Sequence, residues 1–99
     1  MILHTINKSP FNNSSFNECL RLCSAGSSIL FIEDGVYAAK ANTEYAQLVE
    51  QHTDITFYAL AADTQARGLT NALCNNVTVV DDAGFVELCI QHDNVQSWY

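Results

Sequence analysis

The stretch that most restricts the fold is Ser28–Lys40, which reads Ser-Ile-Leu-Phe-Ile-Glu-Asp-Gly-Val-Tyr-Ala-Ala-Lys. Ile29, Leu30, Phe31 and Ile32 are apolar without alternation, the pattern of a strand buried on both faces. Such a strand is central in its sheet. Glu33-Asp34-Gly35 stops the run, and Val36–Lys40 begins a helical stretch that Asp34 is placed to cap, with carboxylates near the positive end of its dipole. A strand followed by a turn and a helix at the carboxyl edge of a parallel sheet is where open α/β folds place their chemistry.

The rest of the chain repeats this plan. Met1–Ile6 is short, apolar and β-compatible, and reads as the first strand. Asn7–Asn13 is dense in turn residues, and Pro10 bars helix before it. Ser15 and Glu18 have capping-box spacing, so a helix is expected to start near Ser15. Phe16, Cys19, Leu20 and Cys23 then follow the i, i+3, i+4, i+7 pattern of one buried face, with Gly26 as terminator. After Val36–Lys40, Thr43 caps a further turn or two through Tyr45, Leu48 and Val49. Asp54–Leu60, rich in β-branched and aromatic residues, is the third strand. Asp63–Arg67 is a short helix closed by Gly68, and Val77–Val80 is the fourth strand. Asp81-Asp82 caps a last helix whose expected buried stripe is Phe85, Val86, Cys89 and Ile90. Val95–Tyr99 either adds a final short strand or docks at a subunit interface. Alternating strands and helices predict one three-layer α/β/α domain over residues 1–99, with a mainly parallel sheet of about five strands.

Charge limits the partners. Four Lys and Arg stand against eleven Asp and Glu, for a net charge of −7. With no basic cluster to meet phosphates, direct nucleic-acid binding is not expected, and an anionic membrane surface is disfavoured for the same reason. No apolar run approaches the roughly 20 residues that span a bilayer, and no secretory signal is visible, so a cytoplasmic location is expected. Hydrophobic residues make up 48% of the chain, more apolar surface than so small a domain readily hides, which predicts contact with another subunit.

Several familiar sites are missing. There is no glycine-rich phosphate loop and no nucleophile elbow around Ser24, Ser27 or Ser28. His4, His52 and His92 lack a second ligand at metal-like spacing, so neither metal nor cofactor is expected. Cys19, Cys23, Cys74 and Cys89 read as reduced thiols. Cys19 and Cys23 share a helical face with Phe16 and Leu20, which suits core filling. The alternative is that Cys19, near the end of the first helical turn with Lys8 and Arg21 the nearest cations in sequence, is a reactive thiolate that Glu18 opposes. Glu33 and Asp34 are either acid/base groups or a solvated residue and a cap. Arg67 either clamps an anion or partner, or complements its helix dipole. Trp98 and Tyr99 are core or interface anchors.

In order along the chain, Leu3-His4-Thr5, Asn7-Lys8-Ser9-Pro10-Phe11, Glu33-Asp34-Gly35-Val36-Tyr37-Ala38-Ala39, Tyr58-Ala59-Leu60 with Asp63, Ala66-Arg67-Gly68-Leu69, Val80-Asp81, Gly84-Phe85-Val86 with Leu88, and Val95-Gln96-Ser97-Trp98 resemble the DsrH/TusB family of small sulfur-relay subunits. The resemblance spans the whole chain. It implies a DsrE/DsrF/DsrH-type α/β domain that joins two related subunits, DsrE/TusD-like and DsrF/TusC-like, in a heterohexamer passing persulfide sulfur between small carrier proteins. The TusB branch serves 2-thiolation of a tRNA wobble uridine, and the DsrH branch serves oxidation of stored sulfur. In both, the principal sulfur-accepting cysteine belongs to the DsrE/TusD-like sibling. Cys19 falls where DsrH-like members carry a cysteine and many TusB-like members do not, so it is the candidate persulfide carrier here. Cys23, Cys74 and Cys89 match no family motif and read as structural. A competing expectation is a flavodoxin-like domain binding a small ligand at the turn after Ile32, which the missing phosphate loop disfavours.

Overall fold

A computed structural model describes all 99 residues. Its sheet has five strands: β1 (Ile2–Ile6), β2 (Ser28–Phe31), β3 (Thr56–Leu60), β4 (Val77–Val80) and β5 (Asn94–Trp98). The order is β4-β3-β2-β1-β5, and every neighbouring pair is parallel. The helices are α1 (Ser15–Leu22), α2 (Glu44–Gln51), α3 (Ala61–Ala66) and α4 (Asp82–Gln91), with a 3-10 segment at Glu33–Ala39. The apolar run after Ser27 is indeed the middle of the sheet, and Ser28–Phe31 are all buried.

The two faces of the sheet are covered unequally. On one, Ile6, Ile29, Phe31, Phe57, Ala59 and Val77 meet α1, α2 and the 3-10 segment in a core of 16 buried residues. Phe31 anchors it, edge-on to Phe16 at 5.4 Å between ring centroids and stacked on Phe57 at 6.1 Å. Each of these rings removes enough apolar surface from water to contribute roughly 1.5–3 kcal/mol. On the other face only Leu3, Leu30 and Leu88 are buried together, with Ile32, Tyr58, Val80, Phe85 and Cys89 half-covered around them. One helix, α4, covers that side.

The tail forms the final strand that its sequence offered as one of two alternatives. Asn94–Trp98 pairs along β1 from Ile2 to Ile6, so the carboxyl end of the chain is built into the sheet as an exposed edge.

Several local expectations are corrected. The first helix has no capping box: its N-cap is Ser14 without a side-chain bond, Asn13 Oδ1 accepts from the Ser15 amide at 2.7 Å, and the Ser15 hydroxyl donates to the Tyr99 carbonyl. That helix ends at Leu22, before Gly26, whose φ of 88° serves the turn into β2. Asp34 caps nothing, because it lies inside the segment, which starts at Glu33 with Ile32 at the cap position and winds as a 3-10 helix. Strand β3 begins at Thr56 rather than Asp54, and α3 starts two residues earlier than Asp63 and ends at Ala66. The expected stripe on α4 is rotated: Leu88 is its buried residue, while Val86 and Ile90 are 60% and 77% exposed. Thr43 and Asp81 do cap, accepting from the Ala46 and Gly84 amides at 3.2 and 2.8 Å.

Candidate functional site

The carboxyl edge of the sheet is tied shut by one cation. Arg67, just past α3, donates from Nε and Nη2 to Asp34 Oδ1 at 2.9 and 2.8 Å, and from Nη1 to the Asp63 carbonyl at 3.2 Å. Asp63 in turn accepts the Glu33 amide at 2.7 Å, which holds Glu33 at a left-handed φ of 50°. A non-glycine residue pays about 1 kcal/mol or more for that conformation, so the loop stays there because Asp63 and Arg67 fix it. Arg67 thus spends its charge within the chain, on Asp34 and Asp63, rather than on a bound anion. The position of Gly35 is as constrained: a Cβ there would run into the backbone carbonyl of Ile6. This turn is a rigid corner, and neither of the two open grooves is lined by it.

Cys19 lies on the inward face of α1 with no exposed surface. Burial, followed by the neighbouring Cys23 sulfur, pushes its thiol up to about 12. The helix dipole does not offset this. With α1 starting at Ser15, Cys19 is the fifth residue, beyond the first turn where the dipole acts. Arg21 points to solvent. Cys23 at the helix end is half-buried, and Cys74 is buried; burial raises both thiols as well. Spacing identified the shared face of Cys19 and Cys23, but not how completely the sheet would cover Cys19.

Two histidines bind the sheet together in ways the sequence pattern did not reveal. His92, at the end of α4, has Nδ1 2.7 Å from the Leu88 carbonyl and Nε2 2.9 Å from Ser28 Oγ, both ring nitrogens engaged in a buried pair. His4 in β1 accepts at Nδ1 from Trp98 Nε1 at 3.1 Å, and its Nε2 is buried without a partner. The only available clue was that His4 alternates with Ile6 on one face of β1. Burial lowers the His4 pKa from 6.5. The unfolded chain therefore takes up a proton as pH falls through about 6.5, while the folded chain resists it, so stability is lost on acidification. Urea midpoints followed by the fluorescence of Trp98, the single tryptophan, should fall between about pH 7 and about pH 5. In His4→Gln this part of the pH slope should vanish; an unchanged slope would show that His4 is not its source.

The open surfaces lie elsewhere. A polar groove of about 340 Å³ at the amino edge is lined by Glu50, Thr53, Ile55, Thr56, Asn75 and Asn76. A second, of about 300 Å³, runs between α4 and the sheet, lined by Tyr58, Val80, Gly84, Glu87, Leu88 and Gln91. Elsewhere on α4, Val86 and Ile90 are exposed and Phe85 is half-covered. From Gly68 onward the chain holds four carboxylates, Asp81, Asp82, Glu87 and Asp93, and no lysine or arginine. The exposed apolar residues of α4 thus share their helix with Asp82 and Glu87 and with no cation. No helix is long and apolar enough to cross a membrane.

Comparison with known proteins fits this picture. The family model described as "DsrH like protein" matches residues 8–95. Protein TusB of Escherichia coli K12 is 36% identical over 97 residues, covering 98% of this chain and all of that protein. Protein TusB of Shigella boydii serotype 18 matches at the same identity and coverage. Among solved structures, the ychN protein of E. coli superposes with a TM-score of 0.85 at 18% identity, covering 98% of this chain and 97% of that one. A protein of unknown function from Methanobacterium thermoautotrophicum, MTH1491, gives 0.69 at 17% identity, over 97% and 96% of the two chains. At these identities the structural likeness shows a shared fold.

Proposed function

The chain belongs to the DsrH family, and from that premise we propose that it is the TusB-like subunit of a cytoplasmic persulfide relay serving 2-thiolation of a tRNA wobble uridine. Residues 1–99 act as one relay domain that is architectural rather than catalytic. The observation that carries this reading is the contrast between a sealed Cys19 and an open α4 face. A relay thiol must ionise and be reached by a donor persulfide. Cys19 meets neither condition, with no exposed surface and a thiol pushed up to about 12. By contrast, Val86 and Ile90 give α4 an apolar surface that the chain itself leaves uncovered, with Phe85 half-covered next to them in sequence. In this reading that surface seats one of the DsrE/TusD-like or DsrF/TusC-like siblings in a heterohexamer, and the sulfur travels on the sibling's cysteine to small carrier proteins. No cofactor takes part, and tRNA meets a later component.

Partner charge follows from the same surface. Two copies of this chain, each at −7, would bring acidic rims together, so the account expects a different chain presenting basic groups around an apolar centre.

The alternative DsrH-like role, in sulfur oxidation with Cys19 as an obligatory relay thiol, is separated by one substitution. In a complex reconstituted with both siblings and a persulfide donor, Cys19→Ala should transfer sulfur within about twofold of the wild type. A drop of about tenfold or more, with the complex still assembled, would make Cys19 a carrier and overturn the architectural assignment.

A further inference from the structure

Cys23 remains without a role in this account, and its surroundings suggest one. It closes α1: its amide donates to the Cys19 carbonyl at 2.8 Å, its Sγ donates to the Leu20 carbonyl at 3.7 Å, and its ψ of 148° turns the chain out of the helix. Cys19 lies one turn earlier on the same face. The neighbouring Cys23 sulfur helps to push the Cys19 thiol up, which favours the proton on Cys19 and charge on Cys23. Cys23 is half-buried while Cys19 is sealed, so a dissolved reagent meets Cys23 first. Cys19 is closed to solution but open to its neighbour.

We propose that Cys19 and Cys23 form a reversible oxidation site, in which Cys23 meets a peroxide and Cys19 resolves the product into a disulfide across the last turn of α1. In the first step the Cys23 thiolate attacks one oxygen of hydrogen peroxide, the O–O bond breaks, and a sulfenic acid and hydroxide form, the hydroxide taking up the proton that Cys23 released. In the second, the Cys19 sulfur attacks the sulfenic sulfur; an S–S bond forms, the S–O bond breaks, and the hydroxyl leaves as water with the Cys19 proton. In sum, two thiols lose two electrons and two protons, and one peroxide becomes two waters. Oxidation of Cys23 also removes the neighbouring anion that opposes ionisation of Cys19.

The geometry sets the character of the bond. Residues four apart on a helix have Cβ atoms about 5–6 Å apart, and a disulfide needs about 3.5–4.5 Å. Closure must therefore draw Cys23 inward by about 1–2 Å, which is feasible because Cys23 already lies outside the helix. A bond made under such strain is readily reduced again. Burial pushes the Cys23 thiol above its ordinary value, so the reaction is slow at neutral pH and should quicken by up to about tenfold per pH unit on the alkaline side.

Peptide mapping tests this without a variant. Arg21 separates the two cysteines, so tryptic cleavage places Cys19 in the peptide 9–21 and Cys23 in the peptide 22–40. After peroxide treatment of the folded full-length chain and alkylation of the remaining thiols, these two peptides should be recovered joined. They should separate on reduction, and the joined fraction should build up faster at pH 9 than at pH 7. In Cys19→Ser, Cys23 should instead accumulate as sulfenic acid, trapped by dimedone. Separate peptides alkylated at both cysteines, over-oxidised Cys23 beside a free Cys19, or Cys23 joined to Cys74, Cys89 or another chain would each overturn the proposal.

Discussion

Gly35→Ala is expected to cost about 3 kcal/mol or more of unfolding free energy. The usual sign for this substitution is the opposite: where a glycine's backbone suits other residues, alanine restricts the unfolded chain and stabilises by about 0.4–1 kcal/mol. Gly35 is not among the glycines held at positive φ, so the penalty is one of space. A methyl group there would collide with the Ile6 carbonyl oxygen, with the carbonyl carbon 2.8 Å away and the Asn7 nitrogen 3.4 Å away. These are backbone atoms at the end of a central strand. The Ile6 carbonyl also accepts the Ile32 amide at 3.0 Å, so it cannot retreat without loosening the junction between β1 and β2. The strained Glu33 and the Arg67 ion pairs are fastened to the same corner. Urea unfolding followed by circular dichroism measures the change, and a loss below about 1 kcal/mol would show that the corner is more compliant than described.

Ile90→Lys is expected to leave the chain as stable as before while weakening its association with sibling subunits at least about tenfold. At 77% exposure, Ile90 contributes little to this domain's own core. A cation in the last turn of α4 also suits the helix dipole. In the complex, the same lysine would be buried at the centre of an apolar contact and face the basic rim expected of the partner. Thermal unfolding of the isolated variant, beside titration of a labelled sibling, separates the two effects. Undiminished association would move the docking surface away from α4.

The central strand was legible because Ile29–Ile32 are apolar in succession, and only a doubly covered strand tolerates that. Likewise Thr43 and Asp81 announce their caps through residue type and spacing alone. The face of α4 could not be read in this way. Phe85, Val86, Leu88, Cys89 and Ile90 are apolar almost all round the helix, so periodicity offers no direction and the sheet beneath selects Leu88. The 3-10 winding of Glu33–Ala39 escaped notice for a different reason, since it depends on Gly35 seating against β1, a contact distant in sequence. For Val95–Tyr99 the sequence left a final strand and an interface segment both open, because the strand at Asn94–Trp98 is held by pairing with β1 rather than by apolar residues of its own. Cys19 was visible as a member of a helical stripe. Its complete burial is a property of the packed sheet.

The most direct measurement is native mass spectrometry of this chain co-expressed with a DsrE/TusD-like and a DsrF/TusC-like subunit. The account predicts one heterohexamer holding two copies of each subunit, with persulfide sulfur carried on the DsrE/TusD-like member and none on this chain's Cys19. Recovery of this chain on its own, or of a complex whose persulfide sulfur sits on Cys19, would contradict it.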